Sequence, residues 1–151
     1  MILSHDGKAP RFHPSARVVP GAIVCGDVEI GENCSVGSGA VIVAESGPVR
    51  IGNNVVIMET AVLRGVQGAP LQIGDNVLIG PRAYLSGCDI GSEAFIATGA
   101  AIFNRATVGT RAEVRVNGVV HVNSSLPLDA TVPIGWVAVG APAQIFPPEA
   151  H

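Results

Sequence analysis

IGSEAF-IATGAA-IFNRAT-VGTRAE, residues 90–113, decides how the rest of the chain is read. These are four hexapeptides in one register, each opening on Ile or Val and each carrying alanine at its fifth place: Ala94, Ala100, Ala106 and Ala112. A period of six matches neither the 3.6 of a helix nor the simple alternation of a half-buried strand. Fixed self-similarity of this kind marks a solenoid, in which short strands stack coil upon coil and each repeat buries its apolar side against the next. The aliphatic first place fills the interior of a triangular prism, and the small fifth place fits a crowded corner. The predicted class is all-β: a parallel β-helix of hexapeptide repeats.

Working outward, the register begins at FHPSAR (from Phe12) and passes through VVPGAI, VCGDVE, IGENCS and VGSGAV to a strand opening at Ile42. It breaks at 45–50, where Ser46-Gly47-Pro48 has the composition of a loop, and resumes with IGNNVV and IMETAV. A second break at 65–72 carries Gly68 and Pro70. IGDNVL, IGPRAY and the shortened LSGCD then lead into the opening stretch, which continues through VRVNGV and VHVNSS. Three hexapeptides per turn give about six coils between Phe12 and Ser125, a prism roughly 30 Å tall at the spacing of stacked strands. The expected division is a leader over 1–11, a β-helix over 12–143 with VPIGWVAVGAPA as a last partial coil, and a closing tail over 144–151. Ile57, Ile79, Ile96, Ile102 and Val108 are expected to point inward.

Composition narrows the function. The 151 residues are 48% hydrophobic but only 4% aromatic, so the core is aliphatic. A net charge of −3 and a pI near 5.7 give no electrostatic basis for binding nucleic acid or an anionic membrane. No apolar run reaches the length of a transmembrane helix, and MILSHDGKAP lacks the basic and apolar regions of a signal peptide. The three cysteines lack metal-like spacing and are expected as free thiols in a reducing cytoplasm, Cys25 facing outward and Cys34 and Cys88 inside.

The order of coils, the breaks at 45–50 and 65–72, the shortened LSGCD and the terminal VAVGAPA together resemble the gamma-class carbonic anhydrases, from Phe12 to Ala143. The resemblance implies a left-handed prism, since periodicity alone does not fix the hand. It also implies a homotrimer with its sites between neighbouring subunits. Active members hold zinc with three histidines shared across the subunit boundary. The matching positions here are Arg64, Pro81 and Ser86. A guanidinium stays protonated and has no lone pair to offer, proline has no side-chain donor, and serine is a poor zinc ligand. Neighbouring positions change too: Val43-Ala44-Glu45 stands where the family has Arg-Gly-Asp, and Met58 where it has glutamine. The expectation is therefore no zinc, no cofactor and no carbonic anhydrase chemistry.

Arg64 and Ser86 hold the same place on successive coils and should stack side by side, facing outward. Together with Glu45, Glu59 and Arg82 they make a set suited to a small carboxylate or phosphate, held through the guanidinium fork. The same set is equally suited to salt bridges that merely join subunits. His121, outward in VHVNSS with Asn117 and Asn123 nearby, is the candidate general base for the alternative class, the hexapeptide-repeat acyltransferases. Two further alternatives are a carbonic anhydrase with a rebuilt metal site and a non-enzymatic scaffold subunit.

Overall fold

The computed structural model describes residues 1–150; His151 lies outside the described residues. The chain is a left-handed parallel β-helix of triangular section. Its three faces are named here for an outward residue on each. The Phe95 face is a seven-stranded parallel sheet running from Arg17–Val18 to Thr131–Val132. The Arg64 face stacks Val62–Arg64, Tyr84–Ser86, Ala101–Ile102, Val119–Val120 and Val137–Val139 upon Val41–Ile51. The Arg50 face carries an outward row of Arg11, Glu29, Arg50, Gln72, Asp89, Thr107 and Ser125.

The hexapeptide pattern becomes structure as follows. Strands of two or three residues allow one inward side chain each, and that residue is the first of each hexapeptide. Ile57, Ile79, Ile96, Ile102 and Val108 are all within 2% of complete burial. The fifth-place residues, Ala61, Ala83, Ala94, Ala100, Ala106 and Ala112 among them, are buried at the corners where there is no room for a longer side chain. Turning a corner takes one residue with positive φ. On one edge this is Asn33, Asn54, Asn76, Glu93, Arg111 and Asp129 in succession, a conformation that asparagine and aspartate tolerate better than most. Side chains satisfy the turn amides from the neighbouring coil: Asn53 Oδ1 accepts from Glu32 N–H, Asp75 Oδ1 from Asn53 N–H, and Ser92 Oγ from Asp75 N–H.

Three features depart from the sequence reading, and the expected second break takes a definite form. The stretch at 45–50 is not a projecting loop: Val41–Ile51 is one continuous strand that crosses from the Arg64 face to the Arg50 face. The break at 65–72 is a tight turn closed by paired hydrogen bonds between Val66 and Ala69. The first residues join the solenoid, Ile2–Leu3 pairing in parallel with Val24 and Cys25. Cys25 accordingly is buried rather than exposed, because Leu3 stacks beside it. At the other end VPIGWVAVGAPA adds a further coil, and Gln144–Phe146 folds back antiparallel on Val137–Val139, occupying its free edge.

Candidate functional site

Arg64 and Ser86 are register partners on adjacent coils. The pairing continues both ways, so that Cys25, Val43, Arg64, Ser86, Phe103, His121 and Val139 form one outward column along the edge of the Arg64 face. Arg64 is exposed and, among the described residues, has no acidic partner within ion-pair distance. Ser86 leaves the interior on the outward side but is covered, only 5% exposed, and its hydroxyl donates to Asn104 Oδ1 at 2.7 Å. The rings of Tyr84 and Phe103 lie beside it with centroids 5.9 Å apart. His121 is exposed, but Phe103 stands between it and Ser86 in the column, so His121 does not share the Arg64 position.

The other sequence candidates lie elsewhere. Glu59, Pro81 and Arg82 sit together at the corner between the Phe95 and Arg64 faces, where Arg82 N–H donates to the Glu59 carbonyl and Arg82 itself takes the positive-φ position. The width of the Arg64 face therefore separates Pro81 from Arg64 and Ser86 within one chain. Glu45 lies past the other edge, lining a hollow of about 200 Å³ with His5, Asp6, Lys8 and Asp27. No ion pair links Arg64 or Arg82 to Glu45 or Glu59 within the chain. Asn117 is exposed at the Pro81 corner, and Asn123 accepts from Arg105 Nε at 2.8 Å, so neither forms a cluster with His121.

A second feature is the groove of about 500 Å³ on the Phe95 face, lined by Met58, Leu78, Pro81, Phe95, Val116 and Ile134 with Glu113 and Arg115 at its side. It lies in a largely apolar surface on which Phe95 is 40% and Ile134 64% exposed.

The donor set at the positions matching the zinc histidines does not fit a divalent cation. Arg64 brings a fixed positive charge, Pro81 brings no side-chain ligand atom, and Ser86 brings a covered neutral hydroxyl, a poor ligand, whose proton goes to Asn104. Among the described residues, no three His, Cys, Asp or Glu side chains of the chain converge in a metal-holding group. The thiols are equally unsuited to nucleophilic work: all three are buried and free, and burial pushes Cys34 and Cys88 upward.

Comparison with known proteins agrees with this architecture. The hexapeptide repeat of succinyl-transferase, as a family, matches residues 27–58 and 70–104. A carbonic anhydrase of Geobacillus kaustophilus is 31% identical over 106 residues, 70% of this chain and 58% of that protein. The chain thus carries hexapeptide repeats in a left-handed β-helix and is similar to a carbonic anhydrase over most of its length. The uncharacterized transferase YtoA of Bacillus subtilis is 38% identical to this β-helix over 63 residues, 42% of this chain and 37% of that one. The match thus spans less than two thirds of the length of both curated relatives. Among solved structures, a Bacillus cereus protein with a provisional acetyltransferase assignment superposes with a TM-score of 0.74 at 27% identity, covering 96% of this chain and 81% of that one.

Two elements of the site escape sequence reasoning. Asn104 meets Ser86 because LSGCD is one residue short, which shifts the turns of adjacent coils relative to one another. The hexapeptide count records the shortening without saying which side chains it brings together. The cluster around Asp27, where Lys8, Arg11 and Arg50 converge, depends on the leader packing against the first coils. A signal existed in the alternating Arg11, Glu29 and Arg50 of the outward row.

Proposed function

We propose that this gamma-carbonic-anhydrase-like β-helix is a homotrimer without the family's zinc centre, binding a small anion where the Arg64 edge of one copy meets the Pro81 edge of another. The observation that carries the reading is Arg64 itself: an exposed guanidinium with no acidic partner in the chain, at the place where a zinc ligand would otherwise stand. Unpaired positive charge beside partly buried polar groups recruits a carboxylate or phosphate, and the guanidinium fork meets two oxygens at once. The apolar Phe95 face supports the trimer, since it includes the Pro81 corner and is poorly suited to water.

The test is metal analysis and CO2 hydration on purified protein. Zinc is expected well below one per subunit, with no chelator-sensitive activity. One zinc per subunit, with hydration lost on chelation, would overturn the reading. Arg64→His alone is expected to leave zinc binding weak, whereas Arg64→His, Pro81→His and Ser86→His together should raise it by orders of magnitude.

A second reading rests on a different observation. His121 is exposed on the same column, and the repeat family and the matched YtoA carry transferase names. As an acyltransferase, the protein would use His121 to take the proton of an acceptor attacking an acyl thioester. Thiol release from acetyl-CoA with a panel of amine and hydroxyl acceptors, abolished by His121→Asn, would favour this reading over the first.

A further inference from the structure

We infer that Asn104 is the second anion-contacting residue beside Arg64, that Ser86 acts as its positioning residue rather than as a ligand, and that the preferred ligand is a carboxylate bearing an apolar or aromatic group; this rests on the proposed anion-binding role of the Arg64 edge. Ser86 has one proton to donate, and it donates it to Asn104 Oδ1 at 2.7 Å from a position only 5% exposed. With its oxygen held there, the Asn104 amide directs its two Nδ2 hydrogens away from Ser86, and among the described residues they meet no acceptor. Arg64 lies one coil below Ser86 in strict register and offers further donors on a long, unpaired side chain. Asn104 and Arg64 therefore both present donors. A neutral amide supplies one carbonyl oxygen to them, whereas a carboxylate supplies two oxygens and the opposite charge. Tyr84 and Phe103, flanking Ser86 on the same face, give the non-polar part of such a ligand a surface to lie on.

The experiment uses the whole protein, labelled with 15N in its asparagine side chains and assigned without mutation. It is titrated at constant ionic strength with benzoate and, separately, with benzamide. The Asn104 amide pair is expected to shift saturably with benzoate, and benzamide to bind about tenfold more weakly or less. Asn104→Asp, which keeps the shape but replaces two donors with a negative charge, should lower benzoate affinity at least about tenfold. Ser86→Ala should weaken benzoate by several-fold and also narrow the benzoate-to-benzamide ratio, because the released amide then presents either end. A general structural role would weaken both ligands alike. If the Asn104 pair does not move, or if Asn104→Asp binds benzoate as well as the unaltered protein while Arg64→Gln does not, the assignment of Asn104 and Ser86 is overturned and the Arg64 reading stands. If Arg64→Gln binds benzoate normally, the anion-binding role of the edge falls, and this inference with it.

Discussion

At the scale of single residues, the charges of the first coils are organised by Asp27. Its carboxylate, 16% exposed, receives Arg11 at 2.9 Å, Arg50 at 3.1 Å and Lys8 at 3.6 Å. Hydrogen bonds from Arg50 and then Arg11 hold its pKa at about 2, below the ordinary 3.8. A depressed carboxyl pKa favours the folded state while the group is ionised. The contribution is therefore complete above about pH 4 and is lost as pH falls through about 2. Because these partners lie near the surface, solvent screening reduces it to about 1 kcal/mol. Asp27→Asn should lower stability by that amount at pH 7 in urea melts, and the gap from the unaltered protein should close below pH 3. A gap independent of pH would show that packing, not charge, is what Asp27 supplies. By contrast, Arg64 forms no ion pair within the chain and matters through the charge it leaves free.

Elements of this fold are short, so each depends on contact with the coils above and below. The strand Val41–Ile51 is paired at 41–44 and again at 49–51, and between them the Ser46-Gly47-Pro48 stretch stays extended because the turn at 65–72 packs against it almost without side chains. A Cβ on Gly65 would lie 2.1 Å from the Gly47 carbonyl oxygen, and one on Gly47 would lie 2.2 Å from that of Val66. Gly65→Ala must push the two segments apart and is expected to destabilise the protein by about 2 kcal/mol, with faster amide exchange confined to residues 43–50 and 64–72. Gly68 at the tip of the same turn has nothing near its missing side chain, but its positive φ favours glycine all the same. In the middle of the stack, Ile96 is completely buried among stacked aliphatic residues. Ile96→Asp would place a carboxylate there without a partner and should cost several kcal/mol, or raise the pKa of the new carboxyl until it is neutral. A melting temperature unchanged by that substitution would contradict the register.

At the scale of the whole molecule, one chain cannot complete the site the resemblance implies. Pro81 and Arg82 occupy one edge of the Arg64 face, while Arg64 and Ser86 occupy the other, and the prism between them is rigidly packed. Only a neighbouring copy can bring one edge to the other, and the apolar groove of the Phe95 face borders the Pro81 edge. Sedimentation at micromolar concentration is therefore expected to give a trimer, and a charge placed in the groove by Phe95→Glu should shift it toward monomer while leaving the β-sheet circular dichroism in place. A stable monomer of the unaltered chain would remove the basis for an inter-subunit cleft. The same geometry explains why Glu59 makes no ion pair with Arg64 within the chain: the two lie at opposite edges of the Arg64 face.

The repeat by itself determined the prism, its inward residues and its small corner residues, because a period of six repeated over several coils admits few other ways of burying every first residue. It also placed Arg64 beside Ser86, since equal places on successive coils must stack. Local composition misled at Ser46-Gly47-Pro48, which has the residues of a loop: the paired segments before and after it, 41–44 and 49–51, and the Gly65–Val66 backbone packed against Gly47 hold it extended. The burial of Cys25, the convergence of Lys8, Arg11 and Arg50 on Asp27, and the bond from Ser86 to Asn104 were decided by the tertiary structure alone. Each depends on how a shortened turn or a packed leader displaces one coil against its neighbour, and a one-dimensional pattern records the length of a turn but not the direction in which it turns its side chains.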